Sequence, residues 1–351
     1  MRTSWTPGRV NLIGEWIDFN GGWVLPAALP LGVTVRLTPS ADGFDTVRSA
    51  QFEGLTRAPL DQAASGHWAD YVFGALQAAR TRGWLERGAE VSLDSDIPAG
   101  AGVSSSAAVT VGVLRASAPD GTDLTEIATL ARQVENQFVG VPCGIMDQMA
   151  VAHTGPGEAL ALNTRTLEFD RLAFPADWRF AVLHSGVERK LADGRYGARR
   201  EACESSARQL GLDYLCDARD LSTLPKDLLP IARHTVSENT RTQDAIAALK
   251  NGDGALFGTL MTQSHASLRD DFQVSTPGID ALIADALDLG ALGARLTGAG
   301  FGGCIVVLLP AGADETWTRR LLDRHPKAWS VAEIGARVGD ALPQNSEEQP
   351  S

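Results

Sequence analysis

Apolar residues recur along this chain with two spacings, and those spacings divide it into elements. Val10, Leu12 and the neighbouring Ile13 suit a half-buried strand, and residues 24–37 resume an extended pattern. Between them, Asp18-Phe19-Asn20-Gly21-Gly22 carries turn chemistry. Asn-Gly is the strongest short-range hairpin signal, so this end reads as a meander of strands. Residues 68–82 place Val72, Phe73, Leu76 and Ala79 on one face of a helix. A short alternating run at 89–93 predicts a strand, and 107–116 is small, apolar and helix-compatible. The spacing of Leu124, Ile127, Leu130, Ala131, Val134 and Phe138 predicts one helix over 124–139. Gly140 and Pro142 break it, and a new helix is expected to start near Gly144.

Two further strands are expected at 160–163 and 180–184. The stretch around them that carries Pro156-Gly157 and Pro175 is the candidate domain junction. This gives one domain over 1–175 and a second over 176–340. The polar tail, 341–351, is expected to be disordered. The second domain is mainly helical, with helical spacing over 195–210, 231–249, 254–268 and 279–289. A strand-like entry at 294, a glycine turn and an apolar strand up to Leu309 follow. A helix over 315–324 and a strand over 328–334 complete an α/β sandwich of few strands.

Composition narrows the function classes. The 351 residues are 44% hydrophobic and 21% charged, as in a soluble globular protein of two domains. A net charge of −12 argues against nucleic acid as a partner, because phosphate contacts need clustered Lys and Arg. It does not argue against a nucleotide, which needs only a local pocket. No apolar run approaches a membrane span and no signal core follows Met1. Cys143, Cys203, Cys216 and Cys304 lack metal-ligand spacing. The expectation is a cytoplasmic protein with no membrane partner.

The candidate chemistry centres on Asp96-Ile97-Pro98-Ala99-Gly100-Ala101-Gly102-Val103-Ser104-Ser105-Ser106-Ala107-Ala108. Its glycines let the backbone approach a ligand, and its serines supply N-cap and hydroxyl donors to the helix that follows. Free N–H groups and the positive end of that helix suit a polyphosphate. The stretch is neither a Walker loop nor a Gly-x-Gly-x-x-Gly fingerprint, and an ordinary loop reads equally well. Arg9, Glu15 and Asp18 read either as solvated strand ends or as a site. Glu135, at the edge of an apolar helical face, is a satisfied acid unless a cation lies opposite. Asp147 falls in a helical first turn, where the dipole favours its ionised form.

Taken in this order, the segments resemble the GHMP small-molecule kinases, and among them the galactokinases. The resemblance rests on Pro7-Gly8-Arg9-Val10-Asn11-Leu12-Ile13-Gly14-Glu15 with Asp18-Phe19-Asn20-Gly21-Gly22, on Pro98 to Ala108, and on Thr297 to Cys304. Cys143-Gly144-Ile145-Met146-Asp147-Gln148, Tyr196-Gly197-Ala198-Arg199-Arg200 and the segment from Ser264 to Asp271 add to it. It covers about residues 5–334. It implies an α+β, two-domain GHMP kinase fold: an N-terminal domain like domain 2 of ribosomal protein S5 and a ferredoxin-like C-terminal domain. The reaction it implies is transfer of the ATP γ-phosphoryl group to the anomeric hydroxyl of an aldose, with galactose as the matching sugar. Partners would be ATP and the sugar, with the chain a monomer or weak homodimer.

The same resemblance implies residue roles. Arg9 and Asp147 would be catalytic. Gly100, Gly102, Ser104, Ser105 and Ser106 would wrap the triphosphate, with Trp68 beside the adenine. Ser106 and Glu135 would hold Mg²⁺, which favours hard oxygen ligands and keeps several waters. Glu15, Trp16, Asp18, Gly144 and Tyr196 would face the sugar. One position departs: relatives carry His in Glu-His-Thr-Asp-Tyr, whereas this chain reads Glu15-Trp16-Ile17-Asp18-Phe19. That histidine lies near the sugar's C6 hydroxyl in the family. Two alternatives stay beside galactokinase activity: a kinase for a C6-altered sugar such as L-arabinose, and a non-catalytic sugar- and ATP-binding sensor. His184, His234 and His265 are left as structural hydrogen-bonders.

Overall fold

The computed structural model describes residues 1–187, 194–314 and 316–336, so the tail 341–351 lies outside the described residues. Strand β1 (Arg2–Asn11) runs antiparallel to β3 (Pro26–Pro39), with Arg2 opposite Leu37 and Asn11 opposite Pro26. Strand β3 pairs on its other side with β6 (Ala89–Ser95). That strand runs parallel to β4 (Phe44–Ser49) of a hairpin completed by β5 (Phe52–Pro59). At the other end, β7 (Glu158–Asn163) joins β2 (Trp23–Val24) to β3, and β8 (Phe169–Ala173) lies outside β7.

The Asn20-Gly21 signal does not close a hairpin, because β1 pairs with β3 and β2 with β7. Residues 12–22 form an irregular loop instead, with Gly14, Trp16 and Gly21 all at positive φ. Distant partners hold it there: Gly14 N donates to Glu238 Oε1 at 3.0 Å and Trp23 N to Asn239 Oδ1 at 2.9 Å. Tertiary bonds outweigh the local turn preference. The β4–β5 hairpin carried no sequence signal, since β5 is an edge strand exposed along most of its length and lacks alternation.

Helices α1 (Asp70–Thr81), α2 (Ser105–Ser117) and α3 (Leu124–Gln133) accompany this sheet. Helix α2 is fastened to β1 by hydroxyls: Ser4 Oγ donates to the Gly112 carbonyl at 2.6 Å and Thr6 Oγ1 to the Ala108 carbonyl at 2.7 Å. The single helix expected over 124–139 is interrupted. Beyond Gln133 the chain widens into a π-helical turn, Val134–Val139, before Gly140 ends it at φ +82°. An inserted residue of this kind barely disturbs the apolar spacing, yet it turns both Val134 and Glu135 inward. Helix α4 (Met146–His153) follows.

The second sheet is antiparallel, in the order β10 (Gly293–Leu296), β11 (Cys304–Leu308), β9 (Arg179–His184), β12 (Trp329–Gly335). Helices α5 (Arg195–Gln209), α6 (Leu229–Asn251), α7 (Gly254–Asp270), α8 (Pro277–Asp288) and α9 (Trp317–Arg324) surround it. Its central strands read as unbroken apolar runs because both faces are buried. Phe180, Val182, Val306 and Leu308 face a core that continues into the first sheet. Ala181, Leu183, Ile305 and Val307 face a second core with Phe272, Ile279 and Trp317. No helix among the described residues is long and apolar enough to cross a membrane.

Helix α7 meets β10 backbone to backbone. A Cβ on Gly258 would overlap the Leu292 carbonyl, and one on Gly293 the Gly258 carbonyl. Gly258→Ala is therefore expected to destabilise the protein by about 1–3 kcal/mol in chemical denaturation, as overpacking usually does. An unchanged midpoint would mean that α7 shifts freely away from β10.

Candidate active site

Arg9 emerges near the end of β1, and Asp147 sits in the first turn of α4. They form a bidentate pair: Nε donates to Oδ1 and Nη2 to Oδ2, each at 2.7 Å. Arg9 is almost fully buried, while a quarter of the Asp147 side chain remains open. Planar fork-to-carboxylate geometry fixes both groups and adds specificity to the attraction. Arg9 Nη1 also donates to the Gly102 carbonyl at 3.3 Å, and its backbone N–H to the Val103 carbonyl at 3.0 Å. The arginine thus ties the glycine loop to the pair.

That loop turns through left-handed conformations at Gly100, Gly102 and Ser104 (φ +74°, +73° and +62°). Ser104 occupies the N-cap position of α2 but does not cap it. Its hydroxyl donates to Asp147 Oδ2 at 2.5 Å instead. This corrects the expectation of a serine cap, and it leaves the first-turn N–H groups of a 13-residue helix without a side-chain acceptor beside Asp147. A helix end in that condition favours anions.

Glu135 comes from the π-helical turn and is 4% exposed. Gln148 Nε2 donates to its Oε1 at 2.7 Å, and the Ser106 hydroxyl also bonds it. Burial, reinforced by the nearby Asp147 charge, pushes its carboxyl up to about 7. Among the described residues no cation forms an ion pair with it, and Gln148 Oε1 is buried without a partner. No group of three or more His, Cys, Asp or Glu among the described residues could hold a metal. One buried carboxylate and one hydroxyl therefore fit a hard ion that is held mostly by water and phosphate oxygens.

Beyond Asp147 lie Asp18, Gly144, Tyr196 and Arg200. A Cβ at Gly144 would overlap Asp18 Oδ2, so only glycine admits that carboxylate. Asp18 accepts no hydrogen bond among the described residues; burial and then the Asp147 and Glu15 charges push it up to about 7. Arg9 and Arg200 oppose that rise. Burial likewise raises the Tyr196 hydroxyl. Trp16, at φ +67°, packs its ring 4.8 Å from Tyr196 and 4.9 Å from Phe272, and its Nε1 is enclosed without a partner. Glu15 is 2% exposed and already engaged: Asn11 Nδ2, Gly298 N and Thr297 Oγ1 all donate to its carboxylate.

Trp68 lies at the start of α1, stacked on Phe52 at 4.7 Å and 12° between planes. Phe52, on the unforeseen hairpin, is therefore part of whatever surface Trp68 offers. Of the histidines, His184 stacks on Trp329, His234 joins Ser267 Oγ to the Glu15 carbonyl, and His265 lies 3.2 Å from Asp280. Burial lowers His234 and His265 to about 4. Sequence reasoning missed Arg200, Gln148, Glu238 and Arg295 as members of this neighbourhood. Gln148 and Arg200 stood inside segments that carry the resemblance and Arg295 opened an apolar strand, whereas Glu238 left no trace.

The family model for the N-terminal domain of GHMP kinases matches residues 70–155, and that for their C-terminal domain matches 245–323. A galactokinase galactose-binding signature matches residues 3–39. The galactokinase of Roseiflexus sp. (strain RS-1) is 40% identical over 92% of this chain and 87% of its own length. That of Streptomyces coelicolor is 38% identical over 96% of this chain and 91% of its own. The crystal structure of Lactococcus lactis galactokinase complexed with galactose superposes with a TM-score of 0.88 at 28% identity, covering 95% of this chain and 93% of that one. Methanococcus jannaschii mevalonate kinase, at 19% identity and a TM-score of 0.67 over 95% of this chain and 98% of that one, shares the fold. The chain belongs to the GHMP kinases and, within them, to the galactokinase family.

Glu135 gives this site a pH signature. Burial pushes its carboxyl from the ordinary 4.5 up to about 7, so the folded state holds the proton more tightly than an unfolded chain would. The stability this confers is complete below pH 4.5 and is lost as pH rises through 7. In metal-free buffer, Glu135→Gln is expected to raise thermal stability at pH 8, by an amount on the order of 3 kcal/mol, and to change it little near pH 4. Thermal melts in chelator across that range test it; a constant offset would contradict the raised carboxyl.

Proposed function

We propose that this chain is an active sugar-1-kinase that transfers the γ-phosphoryl group of ATP to the anomeric hydroxyl of α-D-galactose, giving galactose 1-phosphate and ADP. The observation that carries the reading is the bidentate Arg9–Asp147 pair set beside the uncapped N-terminus of α2. Phosphoryl transfer is mainly positioning and charge neutralisation, and these elements supply both. The N–H groups from Gly100 to Ser106 receive the phosphates. Asp147 Oδ orients and accepts the proton of the attacking hydroxyl, while Arg9 holds that carboxylate in place and offers charge to the transferring group. Ser106 and Glu135 would hold Mg²⁺, which neutralises phosphate charge when bound. Trp68, with Phe52, offers an aromatic surface for the adenine.

Asp18, with no donor on it among the described residues, is the open acceptor for sugar hydroxyls, and Gly144 leaves room for it. Tyr196 forms the neighbouring wall, and Glu15 anchors the loop that carries Asp18. A hydroxyl missing from the ligand would leave these groups buried and unpaired, which is how such a site selects its sugar. Trp16 packs into the second core against Tyr196 and Phe272, which supports a wall role and galactose as the substrate. Four free thiols, two of them buried, support a reducing, cytoplasmic setting.

A coupled ADP-release assay with Mg²⁺-ATP across D-galactose, L-arabinose, D-glucose and mevalonate tests the proposal, with galactose expected to dominate. No turnover with any of them would leave a binding protein. Arg9→Ala and Asp147→Ala are each expected to cost at least about a thousandfold in kcat with the circular dichroism spectrum unchanged. Asp147→Asn keeping most of the activity would remove the proton-accepting role. Trp16→His is expected to leave the ratio of galactose to L-arabinose turnover unchanged. A rise of about tenfold or more, the usual worth of a reshaped pocket, would make Trp16 the specificity residue.

A further inference from the structure

Away from the phosphate side, the largest concentration of buried charge lies where β1, β10, α6 and α7 meet. Arg295, on β10, has no exposed surface. Its Nε donates to Ser264 Oγ at 3.1 Å and its Nη1 to the Asn11 carbonyl at 3.3 Å. Nη1 lies 3.6 Å from Glu15 Oε2, and Nη2 lies 3.8 Å from Glu238 Oε1. Glu238 is equally buried, accepts from Ser264 Oγ at 2.6 Å and Gly14 N at 3.0 Å, and pairs through Oε2 with Arg241 at 2.9 Å.

We infer that Arg295, backed by Glu238, is a positioning residue for the sugar site: the buried chain Glu15–Arg295–Glu238–Arg241 fixes the loop that presents Asp18. The inference rests on the sugar-kinase reading above. Glu15 is gripped at both ends, its carboxylate by Asn11, Thr297, Gly298 and Arg295, and its carbonyl by His234. Asn20 Nδ2 then donates to the Trp16 carbonyl at 2.6 Å, so the backbone from Glu15 to Asn20 has little freedom. Asp18, which makes no such bonds among the described residues, takes its place from that backbone. A purely structural junction would do as well with apolar residues, because desolvating these ions costs as much as their attraction returns. Holding Glu15 in place and favouring its ionised form against burial is what the charges add.

The groups facing Glu15 are Arg9 from β1, Asp18 from its own loop, His234 and Glu238 from α6, and Arg295 from β10. Burial raises the Glu15 carboxyl, and the Arg295 charge is the largest influence opposing that rise. Removing Arg295 should therefore raise it further. Removing the Glu238 charge leaves Arg295 wholly to Glu15 and should lower it.

The test is steady-state kinetics of the full chain, varying galactose at saturating ATP and the reverse, from pH 5.5 to 8.5. Arg295→Met is expected to raise the galactose KM by about tenfold or more while the ATP KM stays within about twofold; Arg295→Lys, which keeps charge without the fork, should fall between. The acid limb of the galactose kcat/KM profile should move to higher pH in Arg295→Met and to lower pH in Glu238→Gln. General loosening would move both the same way. A folded Arg295→Met with an unchanged galactose KM, an equal rise in both KM values, or parallel displacement of the two profiles would each overturn the inference. If Arg295→Met does not fold, an unmoved profile in Glu238→Gln overturns it alone. If the wild type turns over no galactose, the functional reading fails separately. The Glu15 carboxyl is then titrated by ¹³C NMR in wild type and Glu238→Gln, and an unshifted titration overturns the inference.

Discussion

A guanidinium sealed from water has to be met by charge and hydrogen bonds on every side, and that requirement governs the centre of this molecule. Arg295 meets most of it from three separated stretches, through hydrogen bonds to the Asn11 carbonyl and Ser264 Oγ and through the charges of Glu15 and Glu238, while its Nη2 has charge beside it but no hydrogen-bond partner among the described residues. The cost of leaving any of them out sets the relative position of β1, the following loop, α6 and α7. Asn11 and Arg9 are two residues apart on a strand and share a face. Fixing Asn11 at the Arg295 end therefore aims Arg9 into the same cleft, where Asp147 and the glycine loop await it. The Arg9–Asp147 pair takes its place from the buried charges behind it.

Around that cleft the charges do not balance within the protein. Burial has raised Glu15, Asp18 and Glu135, and Arg9, the arginine central to the cleft, is already committed to Asp147. Acids in this state gain from whatever brings hydroxyl donors or a hard cation. The uncapped end of α2 gains equally from an anion.

Much of this was legible in the chain, and what was not has identifiable causes. The runs at Phe180 and Ile305 announced strands buried on both faces, and the amphipathic helices announced themselves by their spacing. The β4–β5 hairpin did not, because an exposed edge strand needs no alternation. The Asn20-Gly21 signal misled because Glu238 and Asn239, more than 200 residues away, hold that loop. The π-helical turn at Val134–Val139 hid inside a good helical pattern. Motif order placed Arg9 and Asp147, and they meet as expected. Motif order also placed Glu15 on the sugar, but could not reveal that Thr297, Gly298 and Arg295 already surround it. Ser104 looked like a cap and became a ligand of Asp147, a choice that depends on a helix 40 residues further on.

The continuous core behind the cleft has a further consequence. Because Phe180, Val182, Val306 and Leu308 belong to the same apolar cluster as the first sheet, the two halves have no dry seam along which to part. Exposing that face would hydrate the centre of the molecule, which couples the stability of the two halves. The chain is two domains by descent and one unit by thermodynamics.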